Sequence, residues 1–169
     1  MRQSQIVLIV LLLLTQPSWA AEPPLRFSVA ESWSMPLIQL DDYQPTSGIL
    51  FDIMQSLSRQ VGMRAEFHVL PRLRVQAALE RGEVDIRCYA AQAWVPNLSG
   101  DYFWSLPILY QRDLLIASAQ TAAGPYPDQF SNETVGTVLG YNYPDLQHLF
   151  DNHQLVREDA RSQEQTLRK

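Results

Sequence analysis

A single cysteine, Cys88, stands in the 169 residues. It excludes an internal disulfide, even in an oxidising compartment, and any zinc cluster built on several thiolates. Positive charge is scarce too: 13 Lys and Arg against 18 Asp and Glu give a formal net charge of −5. Such a chain lacks the basic stripe that a phosphate backbone needs. The stretches Arg72 to Arg74 and Arg157 to Lys169 are too sparse to supply one. Nucleic acid is therefore not an expected partner. The histidines, His68, His148 and His153, are not spaced as a metal set with each other or with nearby acids. No metal and no cofactor are expected. Repeats and low-complexity segments are missing as well, and the apolar run Ile6 to Leu14 is too short to span a bilayer.

That run has a different meaning. Arg2 precedes it and Ser18-Trp19-Ala20 follows it, which together make a cleavable export signal over residues 1–20. Cleavage would leave a chain starting Ala21-Glu22-Pro23-Pro24. No Cys follows the signal, so neither a lipid-anchored N-terminus nor a stable membrane anchor is expected. The remaining length suits one domain or two small lobes sharing a core.

Beyond the signal, strand and helix alternate. Leu25 to Glu31 reads as a strand after a Pro-rich lead, and Ser32 to Ser47 as a long loop of the kind that often carries function. Ile49 to Gln60 reads as a helix with Ile49, Ile53, Leu57 and Val61 on one apolar face and Leu50 and Met54 beside them. Gly62 follows it, where a left-handed residue is wanted. Ala65 to Leu70 alternates like a strand. Leu73 to Glu80 reads as a helix introduced by Pro71 and closed by Gly82, and Val84 to Tyr89 as a third strand. Further along, Ala90 to Pro107 is irregular and aromatic, and Ile108 to Ser118 is a long extended candidate. Thr134 to Leu139 reads as a strand, Gly140 as a turn and Pro144 to Asn152 as a helix with Pro in its first turn. Leu155 to Arg157 could begin another strand, and Arg161 to Lys169 a frayed helix. Alternation predicts parallel strands, with a ligand crevice beyond their carboxyl ends. The loops after Glu31, Leu70 and Tyr89 are where a site is expected.

Order and spacing carry a further likeness. Gly48-Ile49-Leu50-Phe51-Asp52 opens the first helix, and Leu79, Gly82 and Asp85 give a Leu-x-x-Gly-x-x-Asp ending before a strand. Trp104-Ser105-Leu106-Pro107 and Val135-Gly136-Thr137-Val138-Leu139-Gly140-Tyr141 follow in register. From about Leu25 to Val156 the chain resembles the bacterial extracellular solute-binding proteins of family 3, which serve amino-acid uptake. The resemblance implies a two-lobed α/β fold of the periplasmic-binding-protein kind. Residues 21–110 would form lobe one, and 111–169 the crossover and a partial lobe two. It also implies a periplasmic protein that captures a small polar ligand between lobes and presents it to the permease of an inner-membrane ABC transporter.

The residues expected at that site are Trp33, Arg74, Tyr89, Trp94, Tyr141 and Asn142. Trp33 follows the first strand and could stack on a ligand. Arg72 and Arg74 flank the start of the second helix, and Arg74 matches a basic position of the resembling family. Tyr89 ends the third strand. Tyr141 and Asn142 stand where a turn meets a helix start with free N–H groups. Trp94 marks a departure: the family's Thr-x-x-Arg element corresponds to Ala91-Gln92-Ala93-Trp94. An indole offers one donor where a guanidinium would clamp a carboxylate. The expected ligand is thus something other than a simple α-amino acid, or none. A second departure is the turn itself, Gly140-Tyr141-Asn142-Tyr143, where the family has Gly-Thr or Gly-Ser. A third is the end at Lys169, where the family's second lobe continues. A shortened product or fragment and a reduced protein with a degenerate lobe both fit it. Asp52 and Asp85 read as structural acids and Cys88 as a small core residue. Related folds also host dehydratase enzymes of the cyclohexadienyl type and receptor sensor modules. For the enzyme alternative, Glu31 is the carboxylate to consider, although no catalytic role is expected.

Overall fold

A computed structural model describes residues 22–95, 100–120 and 130–168. The segment expected to be an export signal and residues 121–129, which hold the loop expected from Thr121 to Pro127, lie outside the described residues.

The first half is built around β1 (Leu25–Ala30), whose Phe27, Ser28 and Val29 are 0% exposed. An unbroken buried run fits a strand covered on both faces. It pairs in parallel with β4 (Ala65–Leu70) over its full length, from Leu25 opposite Ala65 to Ala30 opposite Leu70. On its other edge lies β5 (Ile86–Arg87), with Phe27 opposite Ile86 and Ser28 opposite Arg87. The sheet order is therefore β4-β1-β5, all parallel.

β5 is shorter than the strand expected from Val84 to Tyr89. Asp85 is committed to β1 before the ladder starts. Its side chain accepts from the Arg26 backbone N–H at 2.8 Å and from the Arg26 guanidinium at 3.0 and 2.6 Å.

Helix α1 (Ile49–Val61) covers the sheet, and Gly48 sets its start. At φ 118° Gly48 lies in the region reserved for glycine, and a Cβ there would lie 2.6 Å from the Leu37 carbonyl oxygen. Gly62 ends the helix in the left-handed conformation, its N–H donating to the Arg59 carbonyl. The buried stripe is Leu50, Met54 and Ser58, one residue round from the face expected; Ile49 and Val61 are exposed. The spacing of four holds. Its phase is set by Leu50 and Met54, which pack into the cluster of Phe27, Val29 and Val75.

The segment expected to be an open loop contains an antiparallel hairpin, β2 (Gln39–Asp41) with β3 (Gln44–Ser47). Asp42 and Tyr43 turn it with φ of 48° and 58°, the twist a two-residue hairpin turn needs. After β4, Pro71 leads into a tight turn over Arg72–Arg74 and then α2 (Val75–Glu80).

The long extended candidate from Ile108 to Ser118 is not a strand. It joins no sheet among the described residues, and Ile108, Tyr110, Leu114 and Ile116 along it are exposed. A strand exists through its ladder, and no described edge runs beside this segment.

The second half is a parallel pair, β6 (Glu133–Val138) and β7 (Leu155–Ala160), in register from Glu133 opposite Leu155 to Val138 opposite Ala160. Helix α3 (Pro144–Asp151), with Pro at its start, links them and buries Leu149; α4 (Gln163–Leu167) follows. Thr166 of α4 packs directly over Gly136, where a Cβ would collide with its methyl group. The molecule is thus a mixed α/β protein with two separate parallel sheets. No helix among the described residues is long and apolar enough to cross a membrane.

Candidate functional site

Four loops converge on one cavity, and three of them are those the crevice rule selects. The end of β1 brings Ala30 and Trp33. The turn before α2 brings Arg72, β5 and its continuation bring Arg87, Tyr89 and Trp94, and the turn after β6 brings Tyr141 to Tyr143. Gln111 and Asp113 of the extended segment close one side.

The N-terminal wall is aromatic. Trp33, 7% exposed, meets Tyr89 edge-on at 5.6 Å between ring centroids, and Tyr89 meets Trp94 at 5.2 Å. These geometries suit ring quadrupoles, so the three rings brace one another. Burial pushes the Tyr89 hydroxyl up to about 12, so it stays a neutral donor at physiological pH.

The opposite wall is the turn after β6, and the second half holds it from behind. The Tyr143 hydroxyl accepts from the Val138 N–H at 2.9 Å. Arg157 stacks on Tyr143 and on Phe150, each at 5.5 Å, and donates to the carbonyls of Val138 and Tyr141 and to Asp159. The turn then reaches across. Asn142 Nδ2 donates to the Trp94 carbonyl at 2.6 Å, the Tyr141 hydroxyl lies 3.4 Å from Ser32 Oγ, and the Arg72 guanidinium lies 5.3 Å from the Tyr141 ring centre. Gly140 makes the approach possible: a Cβ at its φ of 76° would sit 2.6 Å from a Leu73 methyl.

Trp33, Tyr89, Trp94, Tyr141 and Asn142 therefore stand around one cavity. Arg74 does not: it is exposed and stays outside the lining, and Arg72 takes that place. The tight turn after Pro71 decides which of the two arginines faces inward. Arg87, inside the strand expected from Val84 to Tyr89, was not among the expected site residues, yet it lines the cavity. Its Nε is buried without a hydrogen-bond partner among the described residues. Burial, and secondarily the charge of Arg72, lower its pKa to about 10. Burial also holds Arg72 below its ordinary value. Glu31 is exposed and outside the lining, and the cavity's carboxylate among the described residues is Asp113. Cys88 behaves as a core residue, its thiol pushed up by burial to about 11.

The free space is only about 30 Å³. A water needs roughly 10–15 Å³ on this measure, so about two or three fit. Anything larger requires the lining to move apart. The described residues hold no group of three or more His, Cys, Asp or Glu that could bind a metal ion. No family model, curated protein or solved structure matches the chain.

Proposed function

We propose that this chain is a periplasmic solute-binding protein. In this reading its two sheets are two lobes of a periplasmic-binding-protein-like fold, the second partial, and a small polar ligand is captured between them. The carrying observation is the closed seam. Side chains from both halves meet around one cavity through few direct contacts, Asn142 to Trp94, Tyr141 to Ser32 and Arg72 over Tyr141. Few contacts make a joint that opens at low cost, and a ligand held by both walls would favour the closed form. Rings on one wall and hydrogen-bonding groups on both suit a small solute with flat or apolar parts. The order of motifs from Gly48 to Tyr141 supports the same reading and extends it to delivery to an ABC transporter permease.

Thermal melting of the purified chain with panels of amino acids, polyamines and organic acids tests this. Ligand at a hundredfold excess over Kd contributes about 2.7 kcal/mol, a rise of roughly 5–10 °C in Tm at this size. A rise confined to one class names the ligand class. Unchanged melting across all panels removes the proposal.

A further inference from the structure

Resting on the solute-binding reading, a closer question is which chemistry the cavity selects. Arg72 and Arg87 both line it. Neither has an ion pair among the described residues, although most other arginines in the first half do: Arg26 with Asp85, Arg64 with Glu66, Arg81 with Glu83. Those pairs are on the surface, where a partner matters least. The two arginines that lose most hydration are the ones left without a counter-charge, and they lie close enough for the charge of Arg72 to depress the pKa of Arg87. Asp113 does not compensate. Its charge acts on the Tyr89 and Tyr143 hydroxyls, it accepts a hydrogen bond from Gln111, and it is not among the charges acting on either arginine.

Two neighbouring guanidiniums, one with a buried Nε lacking an acceptor, form half of a charge-assisted site. We infer that Arg72 and Arg87 together form an oxyanion subsite of the cavity, which takes the carboxylate or phosphate group of the captured solute. The aromatic wall of Trp33, Tyr89 and Trp94 stands beside it for the body of that solute. The guanidiniums come from the turn before α2 and from β5, so the indole at Trp94 no longer argues against an acidic ligand. Because Arg72 also stacks on Tyr141, an anion bound between the arginines would tie the anion to the closed seam.

The test compares probes of one shape and different charge on the purified chain: benzoate, benzyl alcohol and benzylamine, with inorganic phosphate alongside. Benzoate or phosphate is expected to raise Tm, and whichever does so identifies the source of the oxyanion; the neutral and cationic isosteres should not. Arg87→Met should abolish the rise while raising the melting temperature of the ligand-free chain, because an uncompensated buried charge is removed. Arg87→Lys keeps the charge but not the planar fork, and should weaken binding about tenfold. Equal shifts by benzoate and benzyl alcohol overturn the oxyanion subsite and leave solute binding standing. An unchanged benzoate shift in Arg87→Met, with lower ligand-free stability, also overturns it. A panel in which nothing shifts overturns both.

Discussion

The two sheets of this molecule are built on the same parallel principle but not to the same depth. In the first, β1 has a neighbour on each edge and a helix over its face, and Phe27, Val29, Leu50 and Met54 are sealed completely. In the second, β7 is the one strand paired with β6 among the described residues, and Val156 in β7 and Leu139 just after β6 remain exposed. A two-stranded sheet is marginal by itself. The second half is covered by its own helices α3 and α4, and it gains further support from the first half through Gly140 against Leu73, Tyr141 under Arg72 and Asn142 on the Trp94 carbonyl. The contacts that complete the weaker sheet are the contacts that build the site.

The largest expected effect is in the first sheet. Phe27→Ala should cost about 3–5 kcal/mol and lower the urea midpoint of the whole transition. If the second half kept its own melting step, the dependence described here would be wrong. Leu149→Ala removes a side chain from a smaller core. A loss near the low end of the usual range, about 2 kcal/mol, is expected, and it should appear first in hydrogen exchange of β6 and β7. Equal losses at both positions would mean the two cores are equally packed. Asn142→Ala deletes a single bridge and should cost about 0.5–1.5 kcal/mol. A double-mutant cycle with Arg72→Ala, read by thermal melting, should show whether the seam contacts act together.

The smallest effect is one of pH. Arg26, by its side-chain hydrogen bonds, holds the Asp85 carboxyl below the ordinary range. A depressed carboxylate contributes stability above its unfolded value of about 3.9 and loses it as pH falls through the folded value. Asp85→Asn should therefore flatten the acid limb of the stability curve below about pH 4 and leave neutral behaviour less affected. Because the pair's side chains are 34% and 35% exposed, the change should be small. A large one would place Asp85 in the core of the first sheet's stability.

Local chemistry made much of this legible. β1, β4, α1 and α3 follow from apolar periodicity and from Gly48, Gly62 and Pro144, whose effects need only their neighbours. The hairpin at Asp42-Tyr43 was hidden because its left-handed turn uses neither Gly nor Asn, the residues that usually announce one. Ile108 to Ser118 misled for the opposite reason: its composition suits a strand, but pairing is not a local property. Trp33 and Tyr89 could be named from the ends of parallel strands, and Trp94, Tyr141 and Asn142 from the order of motifs; the fold brings all five around one cavity. Choosing Arg72 over Arg74, and seeing Arg87, required the rotation of a single turn and the burial of a strand end. Neither is encoded in spacing.

The segment from Asp101 to Gln120 takes no part in either sheet, yet it lies on the chain's sole covalent path between them. Its consequence is one of effective concentration. Asn142, Tyr141 and Arg72 make contacts too few to hold two separate molecules together, but tethered halves meet without the entropic cost of association. Trypsin has an exposed target there in Arg112. A single cut would turn an intramolecular seam into a bimolecular one, and closure would then depend on dilution.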